Sequence, residues 1–154
     1  MTILTRRTFT VIAGTAMLVA ACLAFPAAAG KSTAGTAIGS ATLTVAYTGT
    51  GVVDGNHRLW IWLFDTPDFG PGSMPIREES LATSGASVTI RGLSEERVWV
   101  AVAYDEQGGF TGSAPPPSGS PVGIYSTDGG APSALRPAQD PAVRISFGDE
   151  QRMP

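Results

Sequence analysis

The sequence predicts an all-β protein, a seven-stranded antiparallel Greek-key β-sandwich that follows an N-terminal signal peptide. Seven short runs rich in β-branched and aromatic residues recur along the chain, and clusters of Gly, Pro, Ser and Asp separate them. Helical periodicity is absent beyond the signal. Short strands joined by such turns are typical of two packed sheets. We expect one sandwich domain over residues 41–150.

Residues 1–29 have the pattern of a signal peptide. Arg6 and Arg7 precede the apolar run 11–25, and residues 27–29 are the small alanines that signal peptidase accepts. The apolar run has about fifteen residues, fewer than the roughly twenty that a membrane-spanning helix needs. The protein is therefore expected outside the cytoplasm, in the periplasm or secreted.

Both the export route and the cleavage site of this signal have two alternatives. Arg6 and Arg7, ahead of a bulky apolar residue, fit the core of a twin-arginine signal, but an ordinary Sec signal can carry the same pair. Residues 19–22 resemble a lipobox, in which Cys22 becomes the lipidated first residue of a membrane-anchored lipoprotein. Cleavage after Ala29 would instead remove Cys22.

The strands follow from local patterns. A Gly/Ser/Thr-rich linker at 30–40 leads into a run that alternates apolar and polar residues, as a strand with one wet face does. The second run is apolar on both faces and is expected to be central. The predicted strands are 41–47, 57–64, 76–81, 87–93, 97–104, 122–125 and 142–147.

The core follows from the same alternation, and the chain between strands five and six is a surface loop. The insert 108–121 contains Pro115, Pro116 and Pro117, which cannot donate hydrogen bonds to a sheet. The predicted core residues are Leu43, Val45, Leu59, Ile61, Leu63, Val88, Ile90, Leu93, Val98, Val100, Val102, Val143, Ile145 and Phe147.

Composition disfavours several classes of function. Without Arg6 and Arg7 the ten basic residues become eight against thirteen acidic ones, so the net charge moves from −3 to −5 and nucleic acid is not an expected partner. Cys22 is the only cysteine, so no intramolecular disulfide forms. His57 is the only histidine and Lys31 the only lysine, so the common catalytic constellations lack parts. We expect a protein that is not an enzyme.

The run 53–65, Val-Asp-Gly-Asn-His-Arg-Leu-Trp-Ile-Trp-Leu-Phe-Asp, resembles the start of prealbumin-like domains in exported bacterial proteins. The order of the later segments 92–93, 98–105, 121–125 and 147–149 is also similar, and the resemblance covers residues 41–150. It implies the prealbumin-like or immunoglobulin-like sandwich of carboxypeptidase regulatory regions and surface-protein stalks. Such domains are generally non-enzymatic, which implies a binding or structural module of the bacterial envelope.

One candidate site is aromatic. Trp60 and Trp62 share the face of their strand opposite the predicted core, and Trp99 takes the corresponding face of the fifth strand. If the two strands pair, an aromatic shelf forms. When exposed, it is suited to bind an envelope protein or a glycan. When covered by the Pro-rich loop, it is a second small core.

The other candidates are carboxylates. In several proteins of the similar family, the loop after this fifth strand resembles a calcium loop, and here Asp105, Glu106 and Gln107 would supply the oxygens. Phe110 and Thr111 stand where a further carboxylate would be wanted, so a Gly-rich hairpin is the alternative. No other cofactor is expected. A small hydrolase is a third reading, based on the glutamates at 78, 79, 95 and 96, but adjacent carboxylates on a strand face opposite ways.

Overall fold

The computed structural model describes residues 39–69 and 72–154. The predicted signal at 1–29, with Arg6, Arg7 and Cys22, and most of the predicted linker lie outside the described residues. In the described part the seven strands are β1 (Gly39–Tyr47), β2 (Leu59–Phe64), β3 (Arg77–Leu81), β4 (Ser87–Leu93), β5 (Trp99–Tyr104), β6 (Val122–Ile124) and β7 (Ala142–Phe147). Each predicted strand is confirmed, with its ends displaced by no more than two residues.

The strands form two sheets, a three-stranded sheet in the order β4-β1-β7 and a four-stranded sheet in the order β3-β2-β5-β6. The described residues therefore form an all-β sandwich, as predicted. None of the segments that the structure describes is a helix long and apolar enough to cross a bilayer.

One core cluster joins the inner faces of both sheets. β1 contributes Leu43 and Val45, and β2 contributes Leu59, Ile61 and Leu63, all of them inaccessible to solvent. Burial of this apolar surface is the main stabilising contribution to such a fold. Of the predicted core residues, only Val88 and Val143 are partly buried, and both pack against the same cluster.

The pairing of β1 with β7 corrects the prediction that every strand pair is antiparallel. These strands run parallel, with Thr42 opposite Ala142 and Tyr47 opposite Phe147. Hydrophobic alternation has a period of two residues in either direction, so it does not report strand direction. The other sheet lies between β1 and β7 in the chain and supplies the crossover that a parallel pair requires.

The ordered structure extends beyond both predicted domain limits. Gly39 and Ser40, assigned to the linker because of their composition, begin β1. At the other end, the N–H of Val122 donates to the Gln151 carbonyl at 2.9 Å, and the N–H of Met153 donates to the Ser120 carbonyl at 3.0 Å. The C-terminal segment thus covers the free edge of β6, which protects it from pairing with another chain.

Candidate functional site

The outer face of the four-stranded sheet carries all three tryptophans. Because Leu59, Ile61 and Leu63 point into the core, the residues between them on β2 point outward. In register with them on β5, Ala103 is opposite Trp60, Ala101 is opposite Trp62, and Trp99 is opposite Phe64. β2 and β5 pair as the aromatic-shelf hypothesis required, and the two alanines leave room beside the large indole rings.

Phe110 covers one half of this outer face. Trp60 and Trp62 are only 9% and 6% exposed, and their rings stack with centroids 6.3 Å apart at an interplanar angle of 19°. The ring of Phe110 meets Trp60 edge-on at 5.3 Å and Trp62 at 6.0 Å. Such perpendicular arrangements are favourable for aromatic rings. We call the three residues Trp60, Trp62 and Phe110 the covered triad.

Gly112 belongs to the same loop and lies against Trp60 and Trp62 of the covered triad. The Trp62 Nε1–H donates to the Gly112 carbonyl at 3.4 Å. A Cβ at this position would overlap Trp60 Cζ3 and Glu78 Oε1, and the backbone φ of +85° also favours glycine. The insert 108–121 was a possible cover for the aromatic face. Its first residues provide this cover, through Phe110 and Gly112.

Asp105 organises the loop that carries Phe110. Its side chain is 3% exposed, and its two carboxylate oxygens accept hydrogen bonds from the N–H of Gly108 at 2.9 Å and of Phe110 at 2.8 Å. The N–H of Asp105 donates to the Arg58 carbonyl at 2.9 Å. These bonds turn the chain back over the sheet directly after β5.

The residues predicted as calcium ligands do not converge in this loop. Asp105 uses both oxygens on backbone N–H groups, Glu106 pairs with Arg152 at 2.8 Å, and Gln107 is exposed to solvent. Within residues 39–69 and 72–154, no three His, Cys, Asp or Glu side chains are grouped so as to hold a metal ion. The loop arrangement corresponds to the Gly-rich hairpin that was the alternative.

The other half of the outer face is less completely covered, although Phe64 also packs against the cluster of Trp60 and Trp62. Trp99, Phe64, Ala101 and Ile124 are each partly exposed there, and Phe64 also contacts the ring of Phe69 with centroids 5.1 Å apart. We call the four residues Trp99, Phe64, Ala101 and Ile124 the open strip. The predicted aromatic site is therefore divided, because Trp60 and Trp62 lie under the loop and Trp99 lies in the open strip.

The covered triad contains an unpaired donor. The indole Nε1 of Trp60 is inaccessible to water and forms no hydrogen bond with the described residues, and the same is true of the Nε of Arg58. Buried polar groups are paired in the great majority of cases, so an exception calls for an explanation. Composition and spacing gave no sign of it, since hydrogen bonding of an indole depends on the tertiary path of distant loops.

The glutamate pairs lie at separate places in the fold. Glu78 is opposite Trp62 on the outer face, and Glu79 is opposite Ile61. Glu95 and Glu96 line a cavity of about 160 Å³ together with Arg136, next to the start of β1. Glu78 and Glu79 thus face opposite sides of β3, as alternation predicts, whereas Glu95 and Glu96 lie between β4 and β5 and line the same cavity.

A polar cluster that no sequence pattern predicted closes one end of the sandwich. The Tyr47 hydroxyl donates to an oxygen of Asp149, and the N–H of Thr50 donates to the other oxygen at 3.0 Å. These bonds lower the pKa of Asp149, with that from Tyr47 the larger cause. Burial, and then the bond to Asp149, raise the pKa of Tyr47. No sequence pattern links residues so far apart in the chain.

The single histidine belongs to a turn. Asp54 Oδ1 accepts from the N–H of Asn56 and from the N–H of His57, both at 2.8 Å, and lies 3.1 Å from His57 Nδ1. The two backbone bonds, with that from His57 the larger cause, lower the pKa of Asp54. This arrangement is typical of an Asp-initiated turn, and it places His57 in a structural role before β2.

No family model, curated protein or solved structure matches the chain. The resemblance to prealbumin-like domains therefore stays a prediction, based on the residues quoted for it.

Proposed function

We propose that this protein is an exported, non-catalytic β-sandwich module of the bacterial envelope, of prealbumin-like Greek-key type, that contacts its partner through the open strip. The residues at 1–29 support export, by the Sec or the twin-arginine route, with a membrane anchor only if Cys22 is lipidated. The partner is an envelope protein or a glycan.

The observation that carries the proposal is the apolar open strip. Trp99 and Phe64 are adjacent across β5 and β2, and Ala101 and Ile124 continue the strip across β5 and β6. Large aromatic side chains that keep contact with water on a sheet face are typical of binding surfaces, because they bury much area at a low entropy cost.

The roles of the carboxylates support a non-catalytic module. Asp54, Asp105 and Asp149 each accept backbone N–H hydrogen bonds that shape a loop. A general acid or base needs a carboxyl within reach of a substrate proton. These three side chains instead hold connections between strands.

The proposal is tested with the exported protein, recovered from the extracytoplasmic fraction of a bacterial host and mixed with isolated cell walls or envelope membranes. We expect wild type to sediment with one of these fractions and Trp99→Ser to stay in solution, with unchanged circular dichroism. Val52→Ser is the matched control, because Val52 is 73% exposed and lies at the Tyr104 end of β5, the opposite end from Trp99. Equal sedimentation of wild type and Trp99→Ser, or none by either, would overturn the proposal.

Export is tested separately by the mass and N-terminal sequence of the recovered protein. Processing is expected either at Cys22, with added acyl mass, or after Ala29. Lys substitutions at Arg6 and Arg7 should block export only if the twin-arginine route is used. Recovery of unprocessed full-length chain from the cytoplasm alone would contradict the export proposal.

A further inference from the structure

We propose that Phe110 is an internal plug in a sugar-binding site formed by Trp60 and Trp62, and that a neutral glycan displaces it. This inference rests on the proposed function as a binding module and concerns the covered half of the same sheet face. It assigns the ligand to the glycan class and gives the loop a regulatory role.

The Phe110 ring lies against both indoles of the covered triad. It contacts both indoles edge-on, at 5.3 Å and 6.0 Å, and is itself only partly buried. The two indole planes lie 19° apart, whereas the Phe110 ring stands at 81° and 65° to them. Removal of Phe110 would therefore uncover two nearly parallel indoles, and a sugar ring would have to lie at a different angle from the phenyl ring in order to stack on them.

The loop is attached unequally, because Asp105 holds the N–H groups of Gly108 and Phe110 at 2.9 Å and 2.8 Å, whereas two other hydrogen bonds of the loop are long. The hydrogen bonds from Trp62 to the Gly112 carbonyl and from Gly109 to the Asn56 carbonyl are both 3.4 Å long, beyond the usual range of 2.7–3.2 Å. Glycines in the left-handed region stand on both sides of Phe110, with φ of +81° at Gly109 and +85° at Gly112. Such residues are suited to absorb backbone rotation when the loop opens.

The Nε1–H of Trp60 is an unpaired donor within the covered triad. This side chain is more than nine-tenths buried, and its donor lacks an acceptor among the described residues while Phe110 is in place. A hydrocarbon ring cannot supply an acceptor, so the plugged arrangement leaves a desolvated donor without a hydrogen bond. A ligand with oxygen atoms around its ring can supply one once the loop opens.

A carboxylate lies next to the covered triad. Glu78 is opposite Trp62 on β3, and its Oε1 lies beside Gly112 at the rim of the covered triad. A carboxylate accepts hydrogen bonds from hydroxyl groups and repels anions. The mature chain also has an excess of acidic residues. The ligand should therefore have an apolar ring face, hydroxyl groups and ring oxygens, and no negative charge. A neutral pyranose has all of these properties.

The test uses the exported protein in a Trp99→Phe background, because the chain has three tryptophans and this change leaves only Trp60 and Trp62 to report. We expect low iodide quenching in this background. Phe110→Ala should raise the quenching constant several-fold and shift the emission to the red. Phe110→Leu keeps a large apolar side chain and is measured in the same way, so that a folded variant remains for the comparison if Phe110→Ala does not fold. A quenching constant unchanged in the folded Phe110 variants would overturn the plug.

The ligand is tested by titrating cellohexaose and chitohexaose, two neutral glycans, into the same proteins. We expect saturable quenching or a blue shift, with affinity about tenfold higher for Phe110→Ala, because the competing plugged state is removed. Adding Trp60→Phe to the Phe110→Ala variant, which removes the Nε1–H and keeps an aromatic ring, should weaken that binding. Exposed indoles that bind neither hexasaccharide at millimolar concentration would overturn the glycan assignment. Failure of the proposed function is separate, because it is measured on Trp99→Ser.

Discussion

The Tyr47 hydroxyl donates a hydrogen bond to the carboxylate of Asp149, which joins the end of the first strand to the turn after the last one. The parallel pairing of β1 with β7 brings both strand ends to the same side of the sandwich. Arg152 Nη2 lies 3.4 Å from the same carboxylate, and the Tyr47 ring stacks on Tyr104 with centroids 4.4 Å apart. This end of the fold therefore depends on groups that titrate.

We expect acid to weaken the fold through Asp149. Its pKa lies below the usual value of about 4, so its stabilising contribution is present above that pH and is lost as the pH falls through the lowered pKa. The difference in melting temperature between wild type and Asp149→Asn should therefore shrink from about pH 7 to about pH 2. The check is circular-dichroism melting across this range. Asp68→Asn is the control, because it removes a carboxylate charge at another place on the surface. A difference in melting temperature between wild type and Asp149→Asn that stays constant with pH would refute the role of Asp149 in acid stability.

Alkali is expected to act through Tyr47. Its raised pKa means that its contribution is complete below the usual tyrosine value of about 10 and is lost as the pH rises through the folded value. Phenolate absorbance should show a tyrosine that titrates only when the protein unfolds. Tyr47→Phe keeps the stacked ring and should remove one such group. An unchanged alkaline titration in this variant would contradict the prediction.

Gly112→Ala should destabilise the protein more than Gly109→Ala does. Both glycines have positive φ, +85° and +81°, which costs an alanine about 1 kcal/mol. Only at Gly112 would the new Cβ also overlap Trp60 and Glu78, which adds roughly 1–3 kcal/mol. Urea unfolding measures both free energies, and equal values for the two variants would show that the loop does not press on the indole.

Leu135→Ala is expected to lower the free energy of unfolding by about 2–5 kcal/mol, as for other large core side chains. Leu135 is inaccessible to solvent, and its N–H and carbonyl both pair with Val98, at 2.8 Å and 2.9 Å. Met74→Ala is the control, because Met74 is 82% exposed and its truncation should cost no more than about 0.5 kcal/mol. Urea unfolding of both variants makes the comparison, and similar losses would place Leu135 outside the core.

Asp105→Ala should loosen the loop rather than remove a metal site. It leaves the N–H groups of Gly108 and Phe110 without an acceptor, at about 1–3 kcal/mol for a buried unpaired group. We expect millimolar calcium to leave the melting temperature of wild type unchanged, since the Asp105 oxygens are already occupied. The measurement is thermal unfolding with calcium and then with a chelator. A rise that the chelator reverses would restore the calcium hypothesis, and Glu106→Gln would then show whether the neighbouring carboxylate takes part.

Alternation of side chains was sufficient to predict the strands and most of the core. Residues such as Leu59, Ile61 and Leu63 recur at every second position, and this spacing places them on one face whatever the neighbouring strand is. The same rule put Trp60 and Trp62 together on the other face. Leu135 escaped prediction because it stands alone among Ser, Ala, Arg and Pro, where no period can be read.

The cover over the indoles was harder to foresee, because a loop path depends on a few specific hydrogen bonds. A carboxylate followed by glycines, as at Asp105, fits both a calcium loop and a self-closed hairpin. The choice between them depends on whether its oxygens meet backbone N–H groups, which only the folded chain shows. The sequence therefore identified the loop that begins at Asp105 as a candidate site, but it did not distinguish a calcium loop from a self-closed hairpin.

The parallel pair of β1 and β7 also bears on the order in which the molecule can assemble. Thr42 is paired with Ala142, one hundred residues further along the chain, so the first strand to be synthesised waits for the last. Contacts between such distant residues make folding slow, because a large loop must close before they form. A chain cut before Ala142 would leave β1 paired only with β4 in its sheet, and the core would lose the buried side chains of Ile145 and Phe147. Completion of synthesis thus becomes a condition for the three-stranded sheet, because β7 is the last strand of the fold to be made.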